Sequence, residues 1–470
     1  MSAGKGSNAT SLTDSLSGMT LPSDQELRNP HSWVESANDP AVGFPLQSLP
    51  LCAFVPPDSA DGASHLGVGI GEFVLDLHAL SNRGYFSRMG PDVEAALLAP
   101  TLNALMRCGD GAWVTPRLAL WMHLLETEDS WGRSKLEPHL VSRCDVRFCK
   151  PFAVGNYTDF YASMHHAENV GRLFRPDQPL LPNYKWIPIG YHGRASSLVI
   201  SGTGIRRPSG QVRLSGQDAP ELRPTAQLDY ELEIGAYIGV GNALGEPIPI
   251  DGISTRVLSA EDRIFGLSLL NDWSARDIQA WEYQPLGPFL GKSFATSVSP
   301  WVVTMDALDP YRVPLHSRAA GDPEPLPYLA EPAWMERKSG FDIKLEVLLS
   351  TAQMRASSLA PVRLSGGNLR DLYWSFGQMI AHHTSNGCNL VEGDLIASGT
   401  VSGFEETSRG CLLEITRRGA SPIRLPNGEI RTFLEDGDEI ILSGFCEKEG
   451  FPRISLGECR GTILPAVGAS

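Results

Sequence analysis

Three acidic residues at alternating positions are the first feature of this sequence that could do chemistry. In LDYELEI (228–234), Asp229, Glu231 and Glu233 alternate with apolar residues, so a β-strand would put the three carboxylates on one face. A strand with an acidic face in solvent is the simplest interpretation. Three like charges on one face repel each other, however, unless something neutralises them. A hard divalent cation such as Ca²⁺ or Mg²⁺ would do so with oxygen ligands, and better than zinc; both interpretations stay open.

Another acidic residue lies where a strand is predicted to give way to a helix. The segment 264–283 predicts a buried strand that ends at Asp272 and a helix that begins after Ser274 as its N-cap. Spacings of three and four residues would give this helix one polar face, formed by Arg276, Gln279 and Tyr283. An aspartate at a helix start usually serves the cap or the helix dipole, so Asp272 also has a purely structural interpretation.

A third segment, 156–174, predicts a helix that carries a candidate base. On that helix Asp159 would lie seven residues before His166, about two turns away on the same side. A histidine with an ordinary pKa of about 6.5 can accept a proton near neutral pH. A single histidine is more often structural, so this pattern alone does not assign a function.

The elements that must hold these residues are predicted to be mainly β with some α-helix. The 470 residues include 47 glycines and 35 prolines, and turn signals recur between short apolar runs in the second part of the chain. We therefore predict a flexible N-terminal tail (1–32), a small domain that combines a β-barrel with helices (33–150), and a large β-roll or sandwich (151–470).

The composition excludes several classes of function. The formal charge of −15 argues against nucleic-acid binding, and no apolar run approaches the roughly 18 residues that a membrane helix needs. None of the eight cysteines lies in a CxxC pair, so neither a zinc site nor a redox dithiol is predicted. Because the N-terminus lacks the apolar core of a secretion signal, the predicted location is cytoplasmic.

Five motifs resemble the fumarylacetoacetase family, and the resemblance that they carry runs over roughly residues 150–465. They are YTDFYASMHHAENVG, LPNYKWIPIGYHGRASS, ELE within LDYELEI, NDWSARDIQAWEYQPLGPFLGKSF and HHTSNGCNLVEGDLIASGTVSG. Residues 40–150 resemble, more weakly, the small SH3-like barrel at the N-terminus of that family. The resemblance therefore implies an SH3-like N-terminal domain followed by a catalytic domain built as a mixed β-roll or sandwich.

The resemblance also implies four groups of site residues. The ligands of a divalent cation would be Asp159, Glu231, Glu233 and Asp272. A second, structural cation (Mg²⁺ or Na⁺) would be bordered by Asp272, Lys292 and Thr296. The catalytic group would be His166 as general base, Glu414 as its partner, and Arg276, Gln279 and Lys292 facing the developing oxyanion. The substrate pocket would be shaped by Tyr161, Arg175, Tyr191, Gln279, Tyr283 and Thr400.

The activity that the resemblance implies is metal-dependent hydrolysis of a carbon–carbon bond in 4-fumarylacetoacetate. The products would be fumarate and acetoacetate, as in the last step of tyrosine and phenylalanine catabolism. The implied cation is Ca²⁺, with Mg²⁺ or Mn²⁺ as alternatives. The implied assembly is a homodimer that acts on a small dicarboxylate and has no nucleic-acid or membrane partner.

Two other functions stay open at this point. One is a hydrolase, hydratase or decarboxylase of smaller 2-oxo acids on the same scaffold; such relatives are generally shorter, and the long region before Cys149 favours fumarylacetoacetate. The other is a nonenzymatic β-rich module that Ca²⁺ stabilises. The nonenzymatic interpretation predicts that replacing His166 changes nothing measurable.

Overall fold

The structure is a computed structural model that describes most of the chain after the predicted tail. The described ranges are 30–109, 111–127, 131–252, 257–315, 318–333 and 338–468. The predicted tail (1–32) therefore lies outside the described residues except at its end. There Ser32 is buried, and its hydroxyl donates to the backbone oxygen of Leu124 at 2.7 Å, so this residue packs with the N-terminal helices.

The N-terminal unit is an antiparallel sheet with helices inserted before its fourth strand. Its strands are β1 (Leu51–Val55), β2 (His65–Ile70), β3 (Phe73–Asp76), β4 (Leu140–Ser142) and β5 (Arg147–Cys149). Between β3 and β4 lie α1 (Leu77–Asn82), α2 (Pro91–Leu97), α3 (Asn103–Arg107), α4 (Val114–Leu124) and α5 (Trp131–Leu136). The strands pair in the order β4-β3-β2-β1-β5. The SH3-like classification of this sheet stays a prediction.

The C-terminal unit consists mostly of short strands. They are β6 (Tyr157–Phe160), β7 (Gly190–His192), β8 (Leu198–Ile200), β9 (Ile205–Arg206), β10 (Ser209–Val212), β11 (Glu221–Pro224), β12 (Leu228–Asp229), β13 (Leu232–Ile238), β14 (Ile264–Asp272), β15 (Ser274–Ala275), β16 (Thr296–Val298), β17 (Val303–Thr304), β18 (Arg312–Val313), β19 (Gly340–Phe341), β20 (Lys344–Ser350), β21 (Val362–Asn368), β22 (Leu395–Ala397), β23 (Ile423–Arg424), β24 (Ile430–Arg431), β25 (Glu439–Lys448) and β26 (Phe451–Leu464). The predicted mainly β fold with some helix is confirmed.

Among the described residues, the C-terminal unit has fewer helices than strands, and most of these helices are short. The α-helices are α6 (Met164–Phe174), α7 (Arg276–Glu282), α8 (Met305–Leu308), α9 (Ala352–Ala356), α10 (Phe376–Thr384) and α11 (Leu412–Ile415). Along the whole described chain, single turns of 3₁₀-helix occur at Glu35–Asn38, Ser87–Met89, Glu137–His139, Ala195–Ser197, Glu261–Arg263, Asp309–Tyr311, Leu369–Asp371 and Glu406–Ser408.

Two large sheets organise the C-terminal unit. The first has the order β7-β6-β22-β13-β14-β16-β8, with β17 also paired to β14. The second has the order β21-β20-β25-β26-β9. The first sheet is mixed, because β6 pairs with β22 and β8 with β16 in parallel, while its other pairs are antiparallel.

The first sheet is covered on both faces, which explains its nearly continuous apolar strands. On β13, Leu232, Ile234 and Ala236 pack in a core shared with the second sheet. Tyr237 of the same strand packs in a different core with the N-terminal unit. Alternate residues of a strand point to opposite faces, so the N-terminal unit and the second sheet lie on opposite sides of this one.

The acidic residues lie on the face that the N-terminal unit covers. Tyr157 on β6 and Leu270 on β14 pack against that unit. Two residues further along the same strands are Asp159 and Asp272, which therefore point to the same side. The two carboxylates thus lie at the end of an otherwise apolar interface and are shielded from water there.

The segment 228–234 differs from the prediction in its strand structure and in the burial of its acidic residues. The strand is interrupted after Asp229, because β12 pairs with β15 while β13 pairs with β14. The three acidic residues are all buried, so the interpretation as a solvent-exposed acidic face is wrong. Both faces of this sheet are covered, which periodicity in one strand does not reveal.

Two predicted helix starts are also wrong. Residues 157–160 form β6 rather than the first turn of a helix, because they pair in parallel with β22; α6 begins after Ser163, whose hydroxyl accepts from the amide of His166 at 3.3 Å. Ser274 is not the cap of α7. It belongs to β15, and the N-cap is Ala275 without a side-chain hydrogen bond.

Gly399 offers a test of how closely the chain approaches β6 beside the acidic residues. Its φ is 72°, and an added Cβ would lie 2.0 Å from the backbone oxygen of Phe160. Gly428 has a φ of 91° but nothing within 4 Å of such a Cβ. We expect Gly428→Ala to lower the free energy of unfolding by about 1–2 kcal/mol, the cost of left-handed backbone.

Gly399→Ala should cost more than Gly428→Ala because the clash with β6 adds to that backbone cost. Urea denaturation of both variants measures the difference. Equal losses of unfolding free energy would contradict the close approach.

Candidate active site and metal centre

A cavity of about 1000 Å³ in the C-terminal unit is lined by most of the predicted site residues. Those that line it are Asp159, Tyr161, His166, Arg175, Tyr191, Glu231, Glu233, Arg276, Gln279, Tyr283, Lys292 and Thr400. Asp272 and Glu414 lie behind lining residues to which they are hydrogen-bonded, and Thr296 lies behind Asp272. The residues come from distant parts of the chain, and the cavity brings them together.

Four buried carboxylates form a compact group beside the cavity. One oxygen from each of Asp159, Glu231, Glu233 and Asp272 lies within 4.8 Å of the others. All four side chains are buried. Oxygen-rich groups of this kind suit Ca²⁺ or Mg²⁺ rather than zinc.

Asp159 and Glu233 have carboxylate oxygens without a hydrogen-bond partner. These are Oδ1 of Asp159 and both oxygens of Glu233. Burial, followed by the charges of neighbouring acids, raises the pKa of each of the two carboxyls well above its ordinary value. An unpartnered buried carboxylate is costly, and a divalent cation would satisfy it. The donor set therefore fits such a cation.

Lys292 neutralises part of the acidic group. Its ammonium donates to Asp272 Oδ2 at 2.7 Å and also to Glu231. Burial alone would lower the pKa of Lys292, but these two carboxylates outweigh it and raise the pKa, so the ammonium stays charged. For Glu231, burial would raise the pKa, and the charges of Lys292 and Arg276 lower it instead.

Asp272 is held from both sides. Its Oδ2 accepts from the Tyr191 hydroxyl at 2.7 Å, and its Oδ1 accepts from the Thr296 hydroxyl at 2.6 Å. Thr296 lies opposite Asp272 in the β14–β16 register, which explains this contact. In this arrangement Lys292 and Thr296 act as hydrogen-bond donors to the acid. A second cation bordered by them stays a prediction.

His166 and Glu414 form a buried pair. The Nδ1 atom of His166 lies 2.7 Å from Oε2 of Glu414. Glu414 also accepts from Asn169 Nδ2 and from the Ser402 hydroxyl, each at 2.8 Å. Burial would raise the pKa of Glu414, but His166 and these donors outweigh it and hold the pKa below its ordinary value. Glu414 is therefore an ionised acceptor.

One nitrogen of the Arg276 guanidinium has no hydrogen-bond partner. Its Nε donates to Asp229 Oδ2 at 2.9 Å, and its Nη1 donates to Glu231 Oε1 at 2.6 Å. The third nitrogen, Nη2, is buried without a partner. Gln279, one turn later on α7, lines the cavity beside it, so the polar helix face predicted from the sequence points into the cavity.

The remaining predicted pocket residues differ in how they are held. The ring of Tyr161 meets that of His166 edge-on, with centroids 5.2 Å apart. The Thr400 hydroxyl is buried without a partner. Arg175 is exposed and donates to the backbone oxygen of Pro179 at 3.2 Å, while Tyr283 is 40% exposed. The cavity therefore has buried polar groups at its floor and exposed ones, Arg175 and Tyr283, at its mouth.

A second group could also hold a metal ion but fits one less well. His166, Cys411 and Glu414 have ligand atoms within 4.8 Å of one another. Cys411 Sγ donates to Glu414 Oε2 at 3.3 Å. Burial, and next the charge of Glu414, raises the pKa of the Cys411 thiol well above its ordinary value, whereas a metal ligand must be a thiolate. His166 and Cys411 are both already hydrogen-bonded to Glu414.

Sequence reasoning missed two residues that hold the site and gave a third a different role. Asn169 lies three residues after His166, a helical spacing that could have revealed it. Asp229 was considered, in the alternating acidic run, as a carboxylate that a cation could neutralise, but it lies outside the group of four acids that could hold a metal ion. Ser402 follows β22 in a loop and matches no pattern that a single sequence shows.

Among the described residues, no helix is both long enough and apolar enough to cross a bilayer.

Comparison with known proteins matches most of the chain to one enzyme family. A family model described as fumarylacetoacetate hydrolase C-terminal matches residues 156–464, and one described as fumarylacetoacetase N-terminal matches residues 47–149. The chain is 45% identical over 440 residues to a fumarylacetoacetase of Arabidopsis thaliana, covering 93% of this chain and 98% of the relative. It is 44% identical over 443 residues to that of Homo sapiens, covering 93% and 99%.

Similarity to a solved structure is lower in sequence identity. A fumarylacetoacetate hydrolase from Exiguobacterium antarcticum superposes with a TM-score of 0.47 at 17% identity, covering 89% of this chain and 100% of that one.

Glu233→Gln should have opposite effects on the metal-free and the metal-bound protein. Removing an unpartnered buried carboxylate removes a desolvation cost, so we expect a higher Tm in chelator. Because the pKa of Glu233 is raised, its contribution to stability falls as pH rises, and the gain should be largest in alkaline buffer. The increase in Tm that Ca²⁺ gives should shrink, since that increase depends on cation affinity.

Thermal melts with chelator and with Ca²⁺ measure both effects. Glu449→Gln changes an exposed carboxylate and should alter neither. A lower Tm of Glu233→Gln in chelator, or an undiminished response to Ca²⁺, would contradict the assignment of a cation site.

Proposed function

The chain belongs to the fumarylacetoacetate hydrolase family, and we propose that it hydrolyses 4-fumarylacetoacetate to fumarate and acetoacetate. The observation that carries this proposal is that a buried His–Glu pair and a group of four carboxylates, two of them with unpartnered oxygens, lie beside one cavity. The roles of individual residues below are part of the proposal.

His166 is the base that activates water. Its Nδ1 faces the ionised Glu414 carboxylate, which can only accept a hydrogen bond, so Nδ1 carries the proton. The Nε2 atom is then the acceptor for the proton of the attacking water. Glu414 also stabilises the imidazolium that forms, and general-base catalysis of this kind contributes about 10²–10⁴-fold.

Arg276, Gln279 and Lys292 stabilise the oxyanion that forms when water adds to the carbonyl carbon. The free Nη2 of Arg276 is buried beside the cavity, so it donates in a water-poor environment where a hydrogen bond to an anion is strong. Its orientation is already set by Asp229 and Glu231. Little reorganisation is needed when the negative charge develops.

The leaving group is an enolate, and the acidic group serves it. Asp159, Glu231, Glu233 and Asp272 would hold a divalent cation, which would supply Lewis-acid stabilisation of the enolate. We propose Ca²⁺, with Mg²⁺ and Mn²⁺ as alternatives. Tyr161, Arg175, Tyr191, Tyr283 and Thr400 line the cavity and bind the carboxylate and carbonyl oxygens of the dicarboxylate substrate.

We also propose, from the resemblance of the chain to its family, that the protein is a cytoplasmic homodimer. A second structural cation near Asp272, Lys292 and Thr296 belongs to the same proposal.

Purified protein should consume fumarylacetoacetate only when a divalent cation is present. The measurement follows loss of the conjugated-diketone absorbance, with fumarate and acetoacetate identified as products. Chelator should stop turnover, and added Ca²⁺ should restore it. A folded, cation-supplied sample that leaves fumarylacetoacetate intact but cleaves an acylpyruvate would overturn the substrate assignment in favour of the smaller 2-oxo acids.

Replacing His166 by Gln should lower kcat by about 10²–10⁴-fold because the base is lost. The Tm increase that Ca²⁺ gives should persist, since His166 is not among the four carboxylates. His165→Gln is the matched control: it changes the neighbouring histidine of α6, which does not line the cavity. Wild-type kcat in His166→Gln would exclude the proposed base.

A further inference from the structure

Asp229 is a buried carboxylate that enters the proposed chemistry only through its contact with Arg276. Its side chain is 0% exposed, and it does not line the cavity. It also lies outside the group of four acids that could hold a cation. A charge this deeply buried is expensive unless it is fully paired, so its partners indicate what it does.

The Asp229 carboxylate contacts two separate parts of the site. Its Oδ2 accepts from Arg276 Nε and from the amide of Leu413, both at 2.9 Å. Its Oδ1 accepts from the amide of Leu412 at 2.8 Å, and also from the amide of Tyr230 at 2.9 Å. One side chain therefore joins the helix that carries Arg276 to the helix that carries Glu414.

On the side of Arg276, Asp229 sets the plane of the guanidinium. A guanidinium is planar and rigid. The contacts of Nε with Asp229 and of Nη1 with Glu231 therefore fix the direction in which Nη2 can donate. That atom is the buried, unpartnered donor. A neutral or shorter residue at position 229 would let the guanidinium turn towards Glu231.

On the side of Glu414, Asp229 fixes the start of α11. Leu412 and Leu413 are the first two residues of this helix, and their amides have no partner within the helix. Glu414 is the next residue, so its backbone position depends on how these amides are held. The carboxylate of Glu414 must reach His166 Nδ1 at 2.7 Å.

We propose that Asp229 is a positioning residue that holds the Arg276 guanidinium and the His166–Glu414 pair in one fixed relation across the cavity. The inference rests on the proposed function, because it gives Arg276 and His166 their roles there. Asp229 then supports both the His166–Glu414 pair, which activates water, and Arg276, which donates to the oxyanion.

Asp229→Asn tests the proposal with little change of shape. The amide keeps one acceptor oxygen for the helix amides but loses the charge and the second acceptor. Asp438→Asn is the matched control. Asp438 is 1% exposed, accepts from Arg431 Nε at 2.8 Å and from the amide of Glu435 at 2.9 Å, yet it does not line the cavity.

We expect both variants to lower Tm, but only Asp229→Asn to lower kcat. The expected loss is on the order of 10²-fold, as when one oxyanion donor is lost, with KM changed much less. The effects should not multiply in the double variants Asp229→Asn/Arg276→Lys and Asp229→Asn/Glu414→Gln, because Asp229 acts through both partners.

A measurement without substrate separates this inference from the proposed function. The Nδ1 proton of His166, held by Glu414, should give a low-field proton NMR resonance that His166→Gln removes. Asp229→Asn should shift it, and Asp438→Asn should not. An unshifted resonance in Asp229→Asn would overturn the inference even if the wild type does not turn over fumarylacetoacetate.

Where the wild type is active, two kinetic results would also overturn the inference. One is wild-type kcat in Asp229→Asn despite a loss of Tm like that of Asp438→Asn, which is the signature of a merely structural residue. The other is full multiplication of rate losses in both double variants, since independent effects mean that Asp229 does not act through Arg276 or Glu414.

Discussion

Negative charge buried away from water is the constraint on which the rest of the site depends. Five carboxylates, those of Asp159, Asp229, Glu231, Glu233 and Asp272, are buried near two cations, Lys292 and Arg276. The cations and several hydroxyl and amide donors satisfy three of the acids. Asp159 and Glu233 keep unpartnered oxygens. The fold thus stabilises the acids that it pairs and leaves negative charge on Asp159 and Glu233 unpaired. A divalent cation bound there would neutralise this charge.

The N-terminal unit contributes to this constraint although the described cavity is lined by the C-terminal unit. It covers the face of the first sheet from which Asp159 and Asp272 project. Asp272 is itself 1% exposed, so little water reaches its pair with Lys292, where water would screen the interaction.

How much the sequence could predict depended on whether the signal was local. The alternating acids at 229–233, the polar face of α7 and the helix around His166 were visible from periodicity, and the long motifs carried the family resemblance. Residues 157–160 were predicted as helix because their pairing with β22 lies far away in the chain. Ser274 was predicted as a cap because its pairing with β12 was equally invisible. The burial of the acids depends on covering both faces of a sheet, which no single segment encodes. Ser402 and the double contact of Asp229 are consequences of the assembled fold.

The distance along the chain between His166 and Glu414 has a consequence for biosynthesis. His166 and Glu414 are separated by 248 residues, and β9 is paired with β26 at the C-terminal end. Closing so long a loop has a substantial entropic cost that only the completed tertiary structure offsets. A ribosome-bound chain holds its histidine long before the glutamate emerges, so the nascent polypeptide has no His166–Glu414 pair. This histidine gains its carboxylate partner only after residue 414 has been synthesised.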